Sequence, residues 1–222
     1  MGSPAAAPPL RVGVLASGEG SNLQALLDTV HGHEALVVAV AADKPTAAAL
    51  RRARDAGIQT AVFPIGEFAD RGARDAAIAD WLVAHDVQLV VLAGYMALLT
   101  SPLLGRFPDA VVNIHPSLLP AFPGIRAIEQ AIDYGVKVFG VTVHFVLDDG
   151  GVDTGPVIVQ RAVELENATD PSAVHEALRP LEHAVLPETV RLIARGAVSR
   201  DPDNPRRVLV TTGEAPVQTP PV

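Results

Sequence analysis

Four apolar segments constrain the fold of this chain more than any other feature. LRVGVLA (10–16), ALVVAVAA (35–42), VQLVVLAG (87–94) and the opening of VVNIH (111–115) are apolar almost without interruption. A strand with one wet face alternates apolar and polar residues, whereas a continuously apolar strand needs cover on both faces. The spacers between them have helical character. LQALLDTV follows the first strand, the alanine-rich TAAALRRARDAG (46–57) ends in glycine, and residues 67–85 carry apolar positions at Phe68, Ala76, Ile78, Ala79, Trp81 and Leu82. TAVF (60–63) is a further short strand. Buried strands alternating with helices specify an α/β domain with a Rossmann-like, doubly wound, mostly parallel sheet. After residue 115 the pattern changes. VKVFGVTVHFVL (136–147) reads as a long strand, GPVIVQRAVEL (155–165) is placed to return antiparallel to it, and a helix follows from about Pro171 to Ala194. The expectation is a single catalytic domain over 10–198, with an antiparallel strand pair in its C-terminal half. Residues 1–9 read as a flexible leader. Residues 199–222, rich in Pro, Asp and Thr, read as a partly disordered tail in which only RRVLVTT has strand character, at an edge.

Composition removes several function classes. The 222 residues, 49 % hydrophobic, suit one sizeable core. A net charge of −8 argues against a nucleic-acid surface, because proteins that neutralise phosphates are normally basic. No run of about 18 apolar residues is present, so no membrane-spanning helix is expected. The absence of cysteine removes disulfides and thiolate metal sites and fits a cytoplasmic protein. MGSPAAAPPL lacks the basic segment and long apolar core of a secretion signal.

In sheets of this kind, ligands bind beyond the carboxyl ends of the strands. GVLASGEGSNLQ puts Gly18, Gly20, Ser21 and Asn22 at the first such place. Glycines allow a tight turn, and free N–H groups at a helix start attract an anion. The plainer alternative is that Ser21 or Asn22 simply caps the helix. An ATPase-type phosphate loop needs Gly-Lys-Ser/Thr, and no lysine is present; a dinucleotide fingerprint needs a third glycine where Leu23 stands. Asp43, at the end of the second strand, keeps a dinucleotide reading in play, but a single phosphate monoester suits the loop better.

Asn113 and His115 close another strand. Side chains two apart on an extended segment share a side, with Ile114 turned to the core. An amide N–H and a protonated imidazole can both donate to an oxygen that becomes negative, as acyl transfer requires, and histidine can also deliver a proton. A nearby carboxylate would favour the imidazolium. LDDGGVDTGP offers Asp148, Asp149 and Asp153. His144 shares a strand face with Thr142 and would support the site from behind. His31 and His33 lie in a surface turn, and no histidine pair has the spacing of a zinc-binding helix, so no metal is expected.

SGEGSNLQALLD, VVVLAGYMALL, VVNIHPSLLPAFPG, GVTVHFV and DTGPVIVQ, in that order and spacing, resemble the phosphoribosylglycinamide formyltransferase family over roughly residues 11–195. NIHPSLLP alone is shared with other formyl-folate enzymes; with GEGSN the resemblance is specific. It implies transfer of a formyl group from 10-formyltetrahydrofolate, as co-substrate, to the glycyl amine of glycinamide ribonucleotide, in purine synthesis. Carried over by residue, Gly20, Ser21 and Asn22 would hold the ribose phosphate, and Glu182 in RPLEHAVLP would contact the glycinamide substrate. Asn113 and His115 would stabilise and protonate the tetrahedral intermediate, and Asp153 would favour the charged histidine. Met96, Ala97, Leu98 and Leu99, with Asn113 and with Arg71 on the long helix, match folate-binding positions. A homodimer is compatible with the resemblance.

This sequence departs from the family pattern at three places. Ala97 stands where the family commonly has arginine, which removes a side-chain contact but leaves the backbone. The aspartate loop is longer than in the bacterial form, so Asp149 competes with Asp153; Asp153 is preferred because it precedes the Gly-Pro that opens the next strand. Asp43 replaces a common asparagine. Among rivals, methionyl-tRNA formyltransferase would need a further domain and a basic surface, and formyltetrahydrofolate deformylase an extra domain ahead of the first strand. A dinucleotide-binding module would leave Asn113 and His115 unexplained.

Overall fold

The computed structural model describes residues 8–211. Most of the expected leader and residues 212–222 of the expected tail lie outside them. The elements in chain order are β1 (Leu10–Ala16), α1 (Ser21–Thr29), β2 (Ala35–Ala42), α2 (Ala48–Asp55), β3 (Gln59–Val62), a 3-10 turn at Ile65–Glu67, α3 (Arg71–Ala84), β4 (Leu89–Leu92), α4 (Ser101–Leu104), β5 (Val111–His115), α5 (Ala127–Tyr134), β6 (Val138–Phe145), β7 (Val157–Glu164), α6 (Pro171–Ala194), β8 (Val198–Arg200) and β9 (Val208–Val210).

Seven strands form one sheet in the order β3-β2-β1-β4-β5-β6-β7. β1 to β5 are parallel neighbours, and β6 alone runs against them, antiparallel to both β5 and β7. The apolar runs explain this arrangement. β4 is buried at all four positions, and β1 at its last five. Alternate side chains of one strand enter different cores: Val12, Val14, Val91, Val112 and Ile114 pack with α1, α5 and α6, while Leu15, Val90, Leu92 and Val111 pack with α3 and α4. The chain leaves β1 outward to β2 and β3 and then returns to β4 on the other side, which makes the β1/β4 boundary the topological switch point, where ligands bind in open α/β sheets.

α6 contains Pro180 and Pro187 and still runs unbroken. Each proline removes a helical hydrogen bond, and burial of Val174, Leu178, Val185, Leu186 and Val190 against the sheet offsets the loss. Several elements go beyond the sequence reading, α4 among them. α5 follows the proline loop and ends on Gly135 in the left-handed region (φ 84°). β8 and β9 form a separate two-stranded antiparallel sheet, whose Val198, Val208 and Val210 pack on the main core. The boundary drawn after residue 198 therefore falls inside a hairpin, and RRVLVTT contributes its strand there and not to an edge of the main sheet. Among the described residues no helix is long and apolar enough to cross a membrane.

Candidate active site

The segments singled out by the sequence meet at the carboxyl edge of β1, β4 and β5. Cross-strand register builds the centre. Asn113 on β5 lies directly opposite His144 on β6, and His115 opposite Thr142. Asn113 Nδ2 is directed at His144 Nε2 (3.2 Å) and donates to Asp153 Oδ1 (3.3 Å). His115 Nδ1 lies 3.3 Å from Asp153 Oδ2, and its Nε2 donates to the carbonyl of Phe122 at 2.9 Å. His144 Nδ1 donates to the carbonyl of Phe145 at 2.8 Å, and its Nε2 is 3.4 Å from Asp153 Oδ1. With Nδ1–H so committed, a neutral His144 accepts from Asn113 at Nε2, and a protonated one donates to Asp153 instead. His144 thus lies behind Asn113 and Asp153 and touches both, in keeping with the supporting position read from its strand face.

Asp153 is carried over the strands by backbone geometry. Gly155 passes so close to β6 that a Cβ there would lie 1.7 Å from the Phe145 carbonyl oxygen, so only glycine fits. Asp153 takes a left-handed conformation (φ 54°), which aspartate tolerates better than most residues. Its Oδ2 also accepts from the Gly124 N–H at 2.8 Å. Burial pushes the Asp153 carboxyl upward, the largest single influence. The hydrogen bond from His144, the charge of His115 and the Gly124 N–H together outweigh it and hold the group below its ordinary value. Asp149 does something different. Its carboxylate accepts from the Gly151 N–H (3.1 Å) and from Thr154 Oγ1 (2.8 and 2.9 Å), which tie the longer loop together and keep its own protonation low.

This cluster forms one wall of a cavity of about 370 Å³, a size typical of small-molecule sites. The opposite wall is the loop after β4, with Met96, Ala97, Leu98 and Leu99 in the lining. Met96 and Leu98 remain 66 % and 48 % exposed, an apolar rim awaiting a flat or apolar partner. Tyr95 sits beneath, its hydroxyl without a partner and pushed up to about 12 by burial. Arg71 is exposed at the first turn of α3 and is not part of the lining.

The glycine loop forms a second, adjoining site. Gly20 adopts φ 76°, and a Cβ on it would lie 2.7 Å from Ala49 of α2. α1 has no side-chain cap, so its first N–H groups are not taken by Ser21 or Asn22. Asn22 instead donates Nδ2 to Glu182 Oε2 of α6 at 2.9 Å, both side chains buried, and its Oδ1 is unpartnered. One turn earlier on α6, Arg179 reaches the same loop and pairs with Glu19 at 3.4 Å, its Nε buried and unpartnered. The sequence reading missed Arg179. Its spacing of three from Glu182 on one helix was the available signal. Ser17 bridges the two sites: its N–H donates to the Gly94 carbonyl (3.1 Å) and its hydroxyl accepts from the Met96 N–H (2.9 Å). Asp43 is 5 % exposed, with one oxygen unpartnered, which removes it from the reach of a dinucleotide ribose. Among the described residues no group of three or more His, Asp or Glu is arranged to hold a metal ion.

A mostly parallel sheet with an anion-ready glycine loop, and an amide, two imidazoles and a carboxylate around a cavity, is a formyl-transfer architecture, and the family model described as formyl transferase matches residues 10–190. The chain belongs to the formyl transferase family. Within it, the chain is 39 % identical to phosphoribosylglycinamide formyltransferase of Bacillus subtilis over 80 % of its length and 91 % of that protein, and 41 % identical to the Mycobacterium tuberculosis enzyme over 86 % and 88 %. Glycinamide ribonucleotide transformylase 1 from Symbiobacterium toebii superimposes with a TM-score of 0.85 at 44 % identity, covering 92 % of this chain and 95 % of that one. The trifunctional purine biosynthetic protein adenosine-3 of Bos taurus is 42 % identical over 190 residues, but the chain spans only 19 % of its length.

Proposed function

We propose that this protein transfers the formyl group of 10-formyltetrahydrofolate to the glycyl amine of 5-phosphoribosylglycinamide, giving formylglycinamide ribonucleotide and tetrahydrofolate in purine biosynthesis. The observation that supports the reading is that Asn113, His115 and Asp153 meet in the wall of a cavity at the same sheet edge as the glycine loop. The cavity is apolar-rimmed and suited to the folate. The glycine loop has free helix N–H groups suited to a phosphate, beside Arg179, whose guanidinium pairs with Glu19 and Glu176. Asn22 Oδ1, buried and unpartnered, is available to a substrate hydroxyl or N–H.

The chemistry follows from these groups. The amine nitrogen attacks the formyl carbon, and the formyl oxygen becomes an oxyanion. The Asn113 amide and the protonated His115 donate to that oxygen, with Asp153 holding the imidazolium. As the intermediate collapses, the bond from carbon to folate N10 breaks, N10 takes a proton, and the amine proton is lost. Phe122, which accepts from His115, sits at φ 54°, a costly conformation for a bulky residue. The contacts of Asn113, His115 and His144 with one another and with Asp153 are 3.2–3.4 Å, whereas the bonds that anchor the cluster to Phe122, Gly124 and Phe145 are 2.8–2.9 Å.

The test is an absorbance assay for tetrahydrofolate release from 10-formyltetrahydrofolate, with and without the ribonucleotide. Release that depends on the ribonucleotide supports the reading. Equal release without it would mean hydrolysis, and no release with both present would overturn the proposal.

A further inference from the structure

Arg74 and Asp75 stand in the second turn of α3, 2 % and 0 % exposed, and the chemistry above does not use them. Arg74 Nη2 and Nε donate to Asp75 Oδ1 at 2.8 and 3.2 Å. A buried ion pair is seldom a net gain in stability, because two charges must be stripped of water. What distinguishes this one is where its remaining contacts go. Arg74 Nη2 donates to the Leu98 carbonyl at 3.3 Å, and Asp75 Oδ2 accepts from both the N–H and the hydroxyl of Thr100 at 2.7 Å each.

The segment so held is the cavity wall Met96–Leu99. Its apolar side chains at Met96 and Leu98 are 66 % and 48 % exposed, while Ala97 and Leu99 pack in part on the core, so packing fixes the backbone only at those two. Polar contacts fix it at alternate residues: Ser17 at Met96, Arg74 at Leu98, Asp75 at Thr100. With Ala97 between Met96 and Leu98, this wall presents its backbone and an apolar rim to its ligand, and both depend on the course of the backbone. We infer that Arg74 and Asp75 are positioning residues that set the shape of the folate-facing wall and thereby the affinity for formylfolate. This rests on the function proposed above.

The mild variant is Thr100→Val, which removes one donor to Asp75 and leaves both buried charges in place. Loss of one charge-assisted hydrogen bond from the bound geometry raises the KM for formylfolate roughly five- to twelvefold, or about 1–1.5 kcal/mol at 1.4 kcal/mol per decade. The KM for the ribonucleotide and kcat should stay within about twofold, the signature of lost uniform binding of one substrate. Thr100→Ser, which restores the hydroxyl, should recover the wild-type KM. Arg74→Met strands a buried carboxylate and is the harsher variant; Thr100→Val keeps the question answerable if Arg74→Met does not fold. Amide hydrogen exchange over residues 96–100, read by mass spectrometry, should quicken in both Thr100→Val and Arg74→Met. Unchanged formylfolate KM in Thr100→Val, or an equal rise for both substrates, overturns the inference, as does unchanged exchange. A wild-type protein without transfer activity would fail the proposed function instead, and the exchange measurement would still decide whether the pair orders the wall.

Discussion

Replacing Asp153 by asparagine changes one atom and exposes how the centre is wired. Asp153 uses both oxygens: Oδ2 accepts from the Gly124 N–H and faces His115 Nδ1, and Oδ1 accepts from Asn113 and faces His144. Asparagine has one oxygen. Turned one way, its NH2 group faces the Gly124 N–H; turned the other, it faces the Asn113 amide. Either orientation opposes donor to donor, at about 1–3 kcal/mol for a buried group left unsatisfied. The charge is lost as well. At the 3.3 Å separation of His115 and Asp153, an effective dielectric near 20 gives roughly 5 kcal/mol of gross attraction, of which solvation returns most. Even about 2.7–4 kcal/mol lost from transition-state stabilisation corresponds to 10²–10³ in rate, which is the expected fall in kcat for Asp153→Asn. The assay is tetrahydrofolate release at saturating concentrations of both substrates, with Asp149→Asn alongside. Asp149 only ties its own loop, through Gly151 and Thr154, so its variant should keep kcat within about threefold. A larger loss in Asp149→Asn than in Asp153→Asn would refute the assignment of the carboxylate.

Asn22→Asp sets a second carboxylate 2.9 Å from Glu182, at a site meant for an anion, and should raise the KM for the ribonucleotide by more than about tenfold while sparing that for formylfolate; equal effects on both substrates would count against the placement of the phosphate site. Acid should destabilise the protein through Asp153. Its folded value lies below the ordinary 3.8, so the unfolded chain binds more protons at pH near 4, and the contribution is present above that pH and lost as pH falls through the folded value. The drop in melting temperature between pH 6 and pH 3 should therefore be smaller in Asp153→Asn, and an identical drop would rule this out. Gly155→Ala drives a Cβ into the Phe145 carbonyl and should cost at least about 1–3 kcal/mol in urea unfolding as well as activity.

Much of this was legible because the constraints were local. Continuous apolar runs announced strands with two covered faces, and β1, β2 and the span of α6 match the reading to the residue. A period of two placed Asn113 and His115 on one side with Ile114 behind them, and Ile114 is indeed in the core. What could not be read was register. The pairing of Asn113 with His144, 31 residues later, depends on how β6 aligns with β5, and nothing local to either strand encodes it. Asn22 illustrates a second limit. A polar residue at a helix start suggests a cap, but its partner turned out to be Glu182, 160 residues away. α5 was hidden for a simpler reason: eight residues after a proline-rich loop give too few turns for a helical period to stand out.

The same long-range geometry explains how the centre can be rigid and yet exchange partners. Its frame is covalent and steric: the β5–β6 register, the Gly155 approach to Phe145, and the left-handed turns at Phe122 and Asp153. None of these has to change during a reaction. The polar contacts laid on that frame are of another kind. Asn113 Nδ2 lies 3.2 Å from His144 Nε2 and 3.3 Å from Asp153 Oδ1, and His115 spends Nε2 on Phe122. The centre satisfies its own donors, which avoids stranded buried groups. The Asn113 contacts lie at the long end of the hydrogen-bond range, whereas the His115 bond to Phe122 has an ordinary length of 2.9 Å; an oxygen gaining charge is the better acceptor for both, since hydrogen bonds to charged groups are roughly twice as strong. In the proposed reaction the donors to the oxyanion are thus held in place by bonds that yield to a better acceptor, and negative charge forming on the formyl oxygen supplies one.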